Sequence, residues 1–295
     1  MNEKNGNTRD LSAAASGTVS LGVELTVNRL GFGAMRITGD GIWGPPKDRG
    51  AAIAVLRRAI ELGVNFIDTA DSYGPFVSEE LIAEALTPYP KDLVVATKGG
   101  WNRPGPNQWT HDASPAHLRK AVEGSLKRLR LNRIDVYQLH VPDPVVPFDA
   151  SIETLANIQS EGKIRLVALS NVTVEHIERA RKIVPIVSVQ NRYSFADREW
   201  DHVVDYCERN GIAFIPWFPL GAGTVAGRLL ERIAKARQAK PIQVALAWLL
   251  KRSPVMLPIP GTSSIAHLEE NVRATSLQLS EEDYLELTGI AQLAS

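Results

Sequence analysis

The chain has 295 residues, 44% of them hydrophobic, and its 33 basic side chains are balanced by 33 acidic ones. Zero formal net charge excludes a global attraction to nucleic acid or an anionic membrane surface, and no run of like charges supplies a local one. No stretch approaches the roughly 20 apolar residues of a membrane span, and a lone cysteine, Cys207, excludes an internal disulfide or a Cys-rich metal site.

The N-terminus, MNEKNGNTRDLSAAASG, is polar and lacks the apolar core of a secretory signal. It reads as a flexible leader over residues 1–16, ahead of one cytoplasmic domain over 17–295. TVSLGVELTVNRLG alternates apolar and polar residues around Gly22, the pattern of a β-hairpin. Apolar runs then alternate with amphipathic stretches. RLGFGAM precedes RGAAIAVLRRAIELG, which ends on Gly63 as a helix C-terminus does. VNFID precedes VSEELIAEALT, and DLVVATK precedes SPAHLRKAVEGSLKRLRL, with Ser114 as N-cap and Pro115 as first helical residue.

RIDVYQLH, IRLVALSN, IVSVQN, IAFIPWF and VMLPIP continue the series, each followed by helical pattern; Thr173 reads as the N-cap of TVEHIERARKI. A last helix, SEEDYLELTGIAQL, opens with a capping pattern from Ser280 to Asp283. Eight strand–helix units imply a parallel sheet closed into a (β/α)8 barrel, an α/β fold, with an N-terminal hairpin and an extra C-terminal helix.

In such a barrel the reactive side chains belong at the carboxyl ends of the strands. Those ends carry Asp68 and then Tyr73, Lys98, His140, Ser170 and Asn171, Gln190, and Trp217. Each has a bland reading: turn capping for Asp68, a packed turn aromatic for Tyr73, a solvated strand end for Lys98, a satisfied core imidazole for His140. Convergence from consecutive strands favours a site. A phenol is a weak acid, ordinarily near pKa 10; an ammonium beside it favours the phenolate, and a carboxylate keeps that ammonium charged. With a neutral imidazole orienting a carbonyl oxygen, the set suits carbonyl protonation while a cofactor delivers hydride.

The motifs VNRLGFGAM, GVNFIDTADSYG, VVATKGG, DVYQLHVPD, IRLVALSN, VQNRYS, PLGAG and PIPGTSSIAHLEEN occur in the order found in the aldo-keto reductases, which the chain resembles over nearly its whole length. The resemblance implies Tyr73 as general acid, Lys98 and Asp68 tuning it, and His140 orienting the substrate. It implies that Ser170, Asn171 and Gln190 bind the cofactor carboxamide, and that Trp217 stacks on the nicotinamide.

GAGTVAG, from Gly221 to Gly227, mimics a dinucleotide fingerprint but lacks its acidic partner. By resemblance, the loop with Pro219, Leu220, Gly221 and Gly223 lies over the pyrophosphate. Phosphate contacts are expected from Gly261, Thr262, Ser263 and His267, with Glu270 and Asn271 beyond, where Ser264 opens a helix whose N-terminus attracts anions. Relatives place a lysine where this chain has Gly261 and an arginine where it has His267. Those cations grip the 2′-phosphate of NADP and are absent here, but Ser263, Ser264 and His267 can still serve it; NADPH is the expected cofactor, with NADH left open. Phe218 also departs from the family, replacing a small residue.

Trp43 lies among glycines in GDGIWGPPKDRG, and Trp101 and Trp109 flank WNRPGPNQWTHD. Trp43 and Trp101 are read as walls of a pocket for an aromatic or apolar aldehyde, with Arg103, Arg192 and Arg198 available to polar substrate groups. GIWGPPKDRGAAIAVLRRA resembles a bacterial branch that includes pyridoxal reductases, so pyridoxal is the first named substrate. The alternatives are a Schiff-base lyase using Lys98 and a non-catalytic, cofactor-sensing regulatory subunit. The expected partner is a small-molecule carbonyl, with neither nucleic acid nor membrane, in a monomer or small homo-oligomer. The six histidines lack metal-ligand spacing.

Overall fold

A computed structural model describes residues 11–218 and 224–289. Its strands are β1 (Thr18–Leu21), β2 (Leu25–Asn28), β3 (Phe32–Gly33), β4 (Phe66–Asp68), β5 (Val94–Gly99), β6 (Trp101–Asn102), β7 (Thr110–His111), β8 (Ile134–Leu139), β9 (Ile164–Ser170), β10 (Ile186–Arg192) and β11 (Ala213–Trp217). The helices are α1 (Arg49–Glu61), α2 (Val77–Leu86), α3 (Pro115–Leu129), α4 (Phe148–Ser160), α5 (Val174–Arg181), α6 (Asp201–Arg209), α7 (Thr224–Ala236), α8 (Pro241–Arg252), α9 (Ile265–Arg273) and α10 (Glu281–Gly289).

Seven strands form one parallel sheet in the order β11-β10-β9-β8-β5-β4-β3. Each main strand neighbours the one before it, so the sheet curls rather than reverses. Its two edges meet at residues 255–260. Phe214 N donates to Val255 O and Leu257 N to Phe214 O, both at 2.8 Å, and on the other side Gly31 N donates to Pro258 O at 2.9 Å. The eighth strand expected in VMLPIP is thus an irregular stave. Pro258 and Pro260 have no N–H to give, so a regular ladder is chemically impossible there.

Alternation along the strands sorts the core into an inside and an outside. Phe66, Val94, Ala96, Val136, Leu166, Ala168, Ala213 and Ile215 point inward and pack with Leu257 and Ile259. Their alternates, such as Ile67, Val95, Tyr137 and Val167, pack outward under the helices. The expected hairpin is present: β1 and β2 pair antiparallel, and Val19, Leu21 and Val27 join the inner cluster. Asn28 N donates to Asn65 Oδ1 at 2.8 Å, just ahead of β4, and Gly22 lies against Val187 at the start of β10. The hairpin therefore plugs the amino end of the barrel and leaves the carboxyl rim open.

Helix boundaries follow local chemistry. Ser114 caps α3 through His117 N, with Pro115 in its first turn, and Thr173 caps α5; such caps are worth about 1 kcal/mol each. Gly63, at φ 77°, turns the chain out of α1. The leader needs correcting. Ala13–Ser16 form a 3-10 turn capped by Ser12, with Ala13 buried, and Ala13 N donates to Leu62 O at 2.7 Å. A Cβ at residue 63 would lie 2.7 Å from Ser12 Oγ, so Gly63 also makes room for this segment. Residues 1–10 lie outside the described residues.

Candidate active site

The open rim collects polar side chains from strands that are otherwise apolar. Asp68 ends β4, and burial of a carboxylate demands partners. Lys98 Nζ, from β5, donates to Asp68 Oδ2 at 2.6 Å. Gln138 from β8 and Gln190 from β10 each donate an amide hydrogen to Asp68 Oδ1, at 2.7 and 2.9 Å. Lys98 Nζ also donates to Thr69 O at 2.9 Å and to Tyr73 Oη at 3.4 Å. Lys98 is fully buried and Asp68 is 2% exposed, so the charges are desolvated, and each is met by several fixed dipoles.

The turn after β4 aims the phenol. Tyr73 N donates to Ala70 O at 3.2 Å. Gly74 follows at φ 100°, where a Cβ would stand 2.5 Å from that of Val77, so only glycine fits. Burial raises the Tyr73 pKa above 10, and Lys98 offsets this only in part. Lys98 acts in the expected direction, favouring the phenolate, but desolvation outweighs the ammonium, and the phenol holds its proton. Burial alone would lower the Lys98 pKa, but Asp68 and Tyr73 more than reverse it, and the amine stays charged. His140 is pushed well below 6.5 by burial and then by Lys98, so its imidazole is neutral. Its Nδ1 is 3.5 Å from Ser72 Oγ, and its ring stands edge-on to Tyr73, with centroids 5.9 Å apart.

Asp68, Tyr73 and His140 face a cavity of about 980 Å³, while Lys98 stays buried behind them. Asp68, Tyr73, His140, Ser170, Asn171, Gln190, Trp217, Gly261, Thr262, His267, Glu270 and Asn271 all line it. Asn171 adopts φ 58°; its amide donates to His140 O and Ser170 Oγ, both at 3.0 Å, and accepts from Trp217 Nε1 at 3.2 Å. Ser263 instead lines a neighbouring cavity of about 710 Å³. Pro219, Leu220, Gly221 and Gly223 lie outside the described residues.

On the substrate side, Trp101 and Trp109 line the main cavity, but Trp43 does not. The neighbouring Ile42 takes that place, and Trp43 turns toward Arg103, whose guanidinium is 5.4 Å from its ring. The three arginines are occupied elsewhere. Arg103 donates to backbone carbonyls, Arg192 pairs with Asp197 and Arg198 with Asp201. Cys207 is buried, its thiol pushed up to about 12, as befits an apolar packing residue.

Gln138 was missed by sequence reasoning. Its signal lay in spacing, since it falls two residues from inward-facing Val136 and two from His140. The left-handed Ile42 and the buried Arg103 gave no such signal.

The Aldo/keto reductase family model matches residues 29–292. Pyridoxine 4-dehydrogenase of Escherichia coli is 48% identical over 285 residues, covering 94% of this chain and 99% of that protein. An uncharacterized oxidoreductase of Schizosaccharomyces pombe is 52% identical over 279 residues, covering 94% and 90%. Among solved structures, a glycerol dehydrogenase from Gluconobacter oxydans superposes with TM-score 0.83 at 26% identity, covering 94% of this chain and 95% of that one. An aldo/keto reductase from Klebsiella pneumoniae, in complex with NADP and acetate, superposes with TM-score 0.76 at 27% identity, covering 92% and 93%. Sequence and fold agree over almost the full length, and the chain belongs to the aldo/keto reductase family of oxidoreductases.

Proposed function

We propose that the protein reduces an aldehyde to an alcohol with Tyr73 as general acid and NADPH as cofactor. The observation that carries this reading is Tyr73 Oη 3.4 Å from Lys98 Nζ, itself 2.6 Å from Asp68 Oδ2, beside neutral His140 on one cavity. The residues present fit a dinucleotide. The same cavity runs from Tyr73 to the N-terminal end of α9, and buried Asn271 faces it with no side-chain partner among the described residues. At its edge, a Cβ on Gly261 would lie 2.5 Å from Gly33 O, so glycine is needed there to pack this loop against β3. Ser170, Asn171, Gln190 and Trp217 would hold the nicotinamide end, and Thr262, His267, Glu270 and Asn271 the adenosine end. When bound, the nicotinamide supplies or accepts the hydride.

The chain's own part is proton delivery and orientation. Tyr73 and His140 hydrogen-bond the carbonyl oxygen, and their buried setting keeps both neutral, so each offers a hydrogen. As negative charge grows on that oxygen, the Tyr73 proton moves to it, and Lys98 stabilises the phenolate left behind. Asp68 keeps Lys98 charged and fixes its position. A Schiff-base role for Lys98 fits poorly, because its amine is protonated and committed to three acceptors.

Pyridoxal is the substrate this reading favours. The E. coli relative named for pyridoxine supports it, as does an aromatic wall in which Trp101 stands edge-on to both Trp109 and His140. Cofactor oxidation with pyridoxal and a panel of aromatic, aliphatic and sugar aldehydes, with NADPH and NADH in parallel, tests this. Turnover strongest with pyridoxal and NADPH is expected. Tight cofactor binding without turnover of any carbonyl would point to a cofactor-sensing subunit instead.

A further inference from the structure

A buried arginine without a carboxylate is costly, because desolvation penalises its charge. Arg103 is such a residue. It is 9% exposed, and no acidic side chain pairs with it among the described residues. Its guanidinium gives every bond to backbone: Nε to Gln108 O at 3.0 Å, Nη1 to Ile42 O at 3.0 Å and Ser72 O at 3.1 Å, and Nη2 to Gly41 O at 3.3 Å. It lies 3.8 Å from the centroid of Trp109 and 5.4 Å from that of Trp43. One side chain thus ties together three rim loops: the one after β3, the catalytic turn after β4, and the one between β6 and β7.

The segment it holds is strained. Gly41, Ile42 and Gly44 all have positive φ, with Ile42 at 57°, a conformation a β-branched residue avoids. Six residues line both the reaction cavity and the neighbouring polar cavity: Met35, Arg36, Gly261 and Thr262 on one side, and Ile42 and Trp109, the two that Arg103 holds, on the other. Beyond them lie Asn107, Asp48 and Lys47, the last paired with Asp40 at 2.8 Å, so the second cavity is polar, with charges of both signs.

From this we infer that Arg103 is a positioning and specificity-determining residue, pinning Ile42 and Trp109 as a partition that limits the reaction cavity to compact carbonyl substrates. The inference rests on the reductase reading given above. Loosening the pin joins the two cavities and admits a carbonyl compound with a flexible, uncharged polar tail. Through the Ser72 carbonyl the same pin steadies the turn that carries Tyr73.

The test compares wild type with Arg103→Met and Arg103→Lys. Hydrogen exchange of the amides in 39–46 and 104–110 is expected to speed up about tenfold or more in Arg103→Met, with the barrel strands unchanged. The ratio of kcat/KM for a benzaldehyde bearing a hydroxyl-ended para chain to that for pyridoxal should rise about fivefold or more. NADPH affinity, read by fluorescence titration, should stay within about twofold. Arg103→Lys keeps the charge but not the fork of donors, and is expected to shift both readouts less; it carries the test if the Met variant does not fold. Unchanged loop exchange with an unchanged substrate ratio would overturn the inference. If wild type reduces no carbonyl, the reductase reading fails, and the exchange data still decide whether Arg103 pins these loops.

Discussion

Lys98 and Asp68 form an ion pair at 2.6 Å with both side chains buried at the rim of the barrel. A desolvated pair of this kind is weak evidence for stability, because removing the charges from water offsets much of their attraction. Its value lies in fixing a proton's position. Lys98 reaches Tyr73 with the same Nζ that Asp68 holds, so the carboxylate sets where the phenol's neighbour sits and keeps it charged.

The pH dependence of reduction follows from this. Tyr73 titrates above its ordinary value of 10, because burial outweighs Lys98, so the acid form persists through neutrality. His140 titrates well below 6.5, so it is already neutral there. In the reduction direction kcat/KM is expected to show no inflection near pH 6.5 and to fall only in the alkaline range. An acid limb centred near 6.5 would contradict a neutral His140.

Asp71 carries a stability penalty. It is buried, its Oδ1 has no partner, and burial, with Glu79 nearby, pushes its pKa well above 3.8. The folded state therefore keeps a proton that the unfolded state loses. This contribution is full below the unfolded pKa and disappears as pH rises toward the folded one. Asp71→Asn should be close to neutral at about pH 4, and its stabilisation should grow by up to about 1.4 kcal/mol per pH unit above that. Urea unfolding at acid and slightly alkaline pH measures it; equal effects at both would contradict the assignment.

Placing a lysine at position 261 should fail as a route to tighter NADPH binding. A Cβ there would stand 2.5 Å from Gly33 O, so the backbone has to shift. Gly261→Lys is expected to destabilise the protein by about 1–3 kcal/mol without raising NADPH affinity. Unchanged thermal stability with tighter binding would show that the backbone gives way freely.

Much of the fold was legible because its signals are periodic. Alternation in the strands, glycines and caps at helix ends, and the hairpin around Gly22 each have a local cause. The residues proposed for catalysis stood out for the same reason, since a titratable residue is conspicuous at the end of an apolar strand. What escaped notice depends on contacts between distant segments. The sheet closes through a stave that prolines keep irregular, and Ser12 and Ala13 join the body because Gly63 leaves space. Ile42, not Trp43, faces the cavity because a buried arginine 61 residues on holds the Ile42 carbonyl. The net shift on Tyr73 likewise required knowing how deeply it is buried.

The most direct measurement is turnover by Tyr73→Phe, made beside an NADPH titration of the same sample. The change removes one oxygen and leaves the ring. Carbonyl reduction is expected to fall at least about 100-fold, with NADPH affinity within about twofold of wild type. Turnover close to wild type, with cofactor still bound, would contradict Tyr73 as the proton donor.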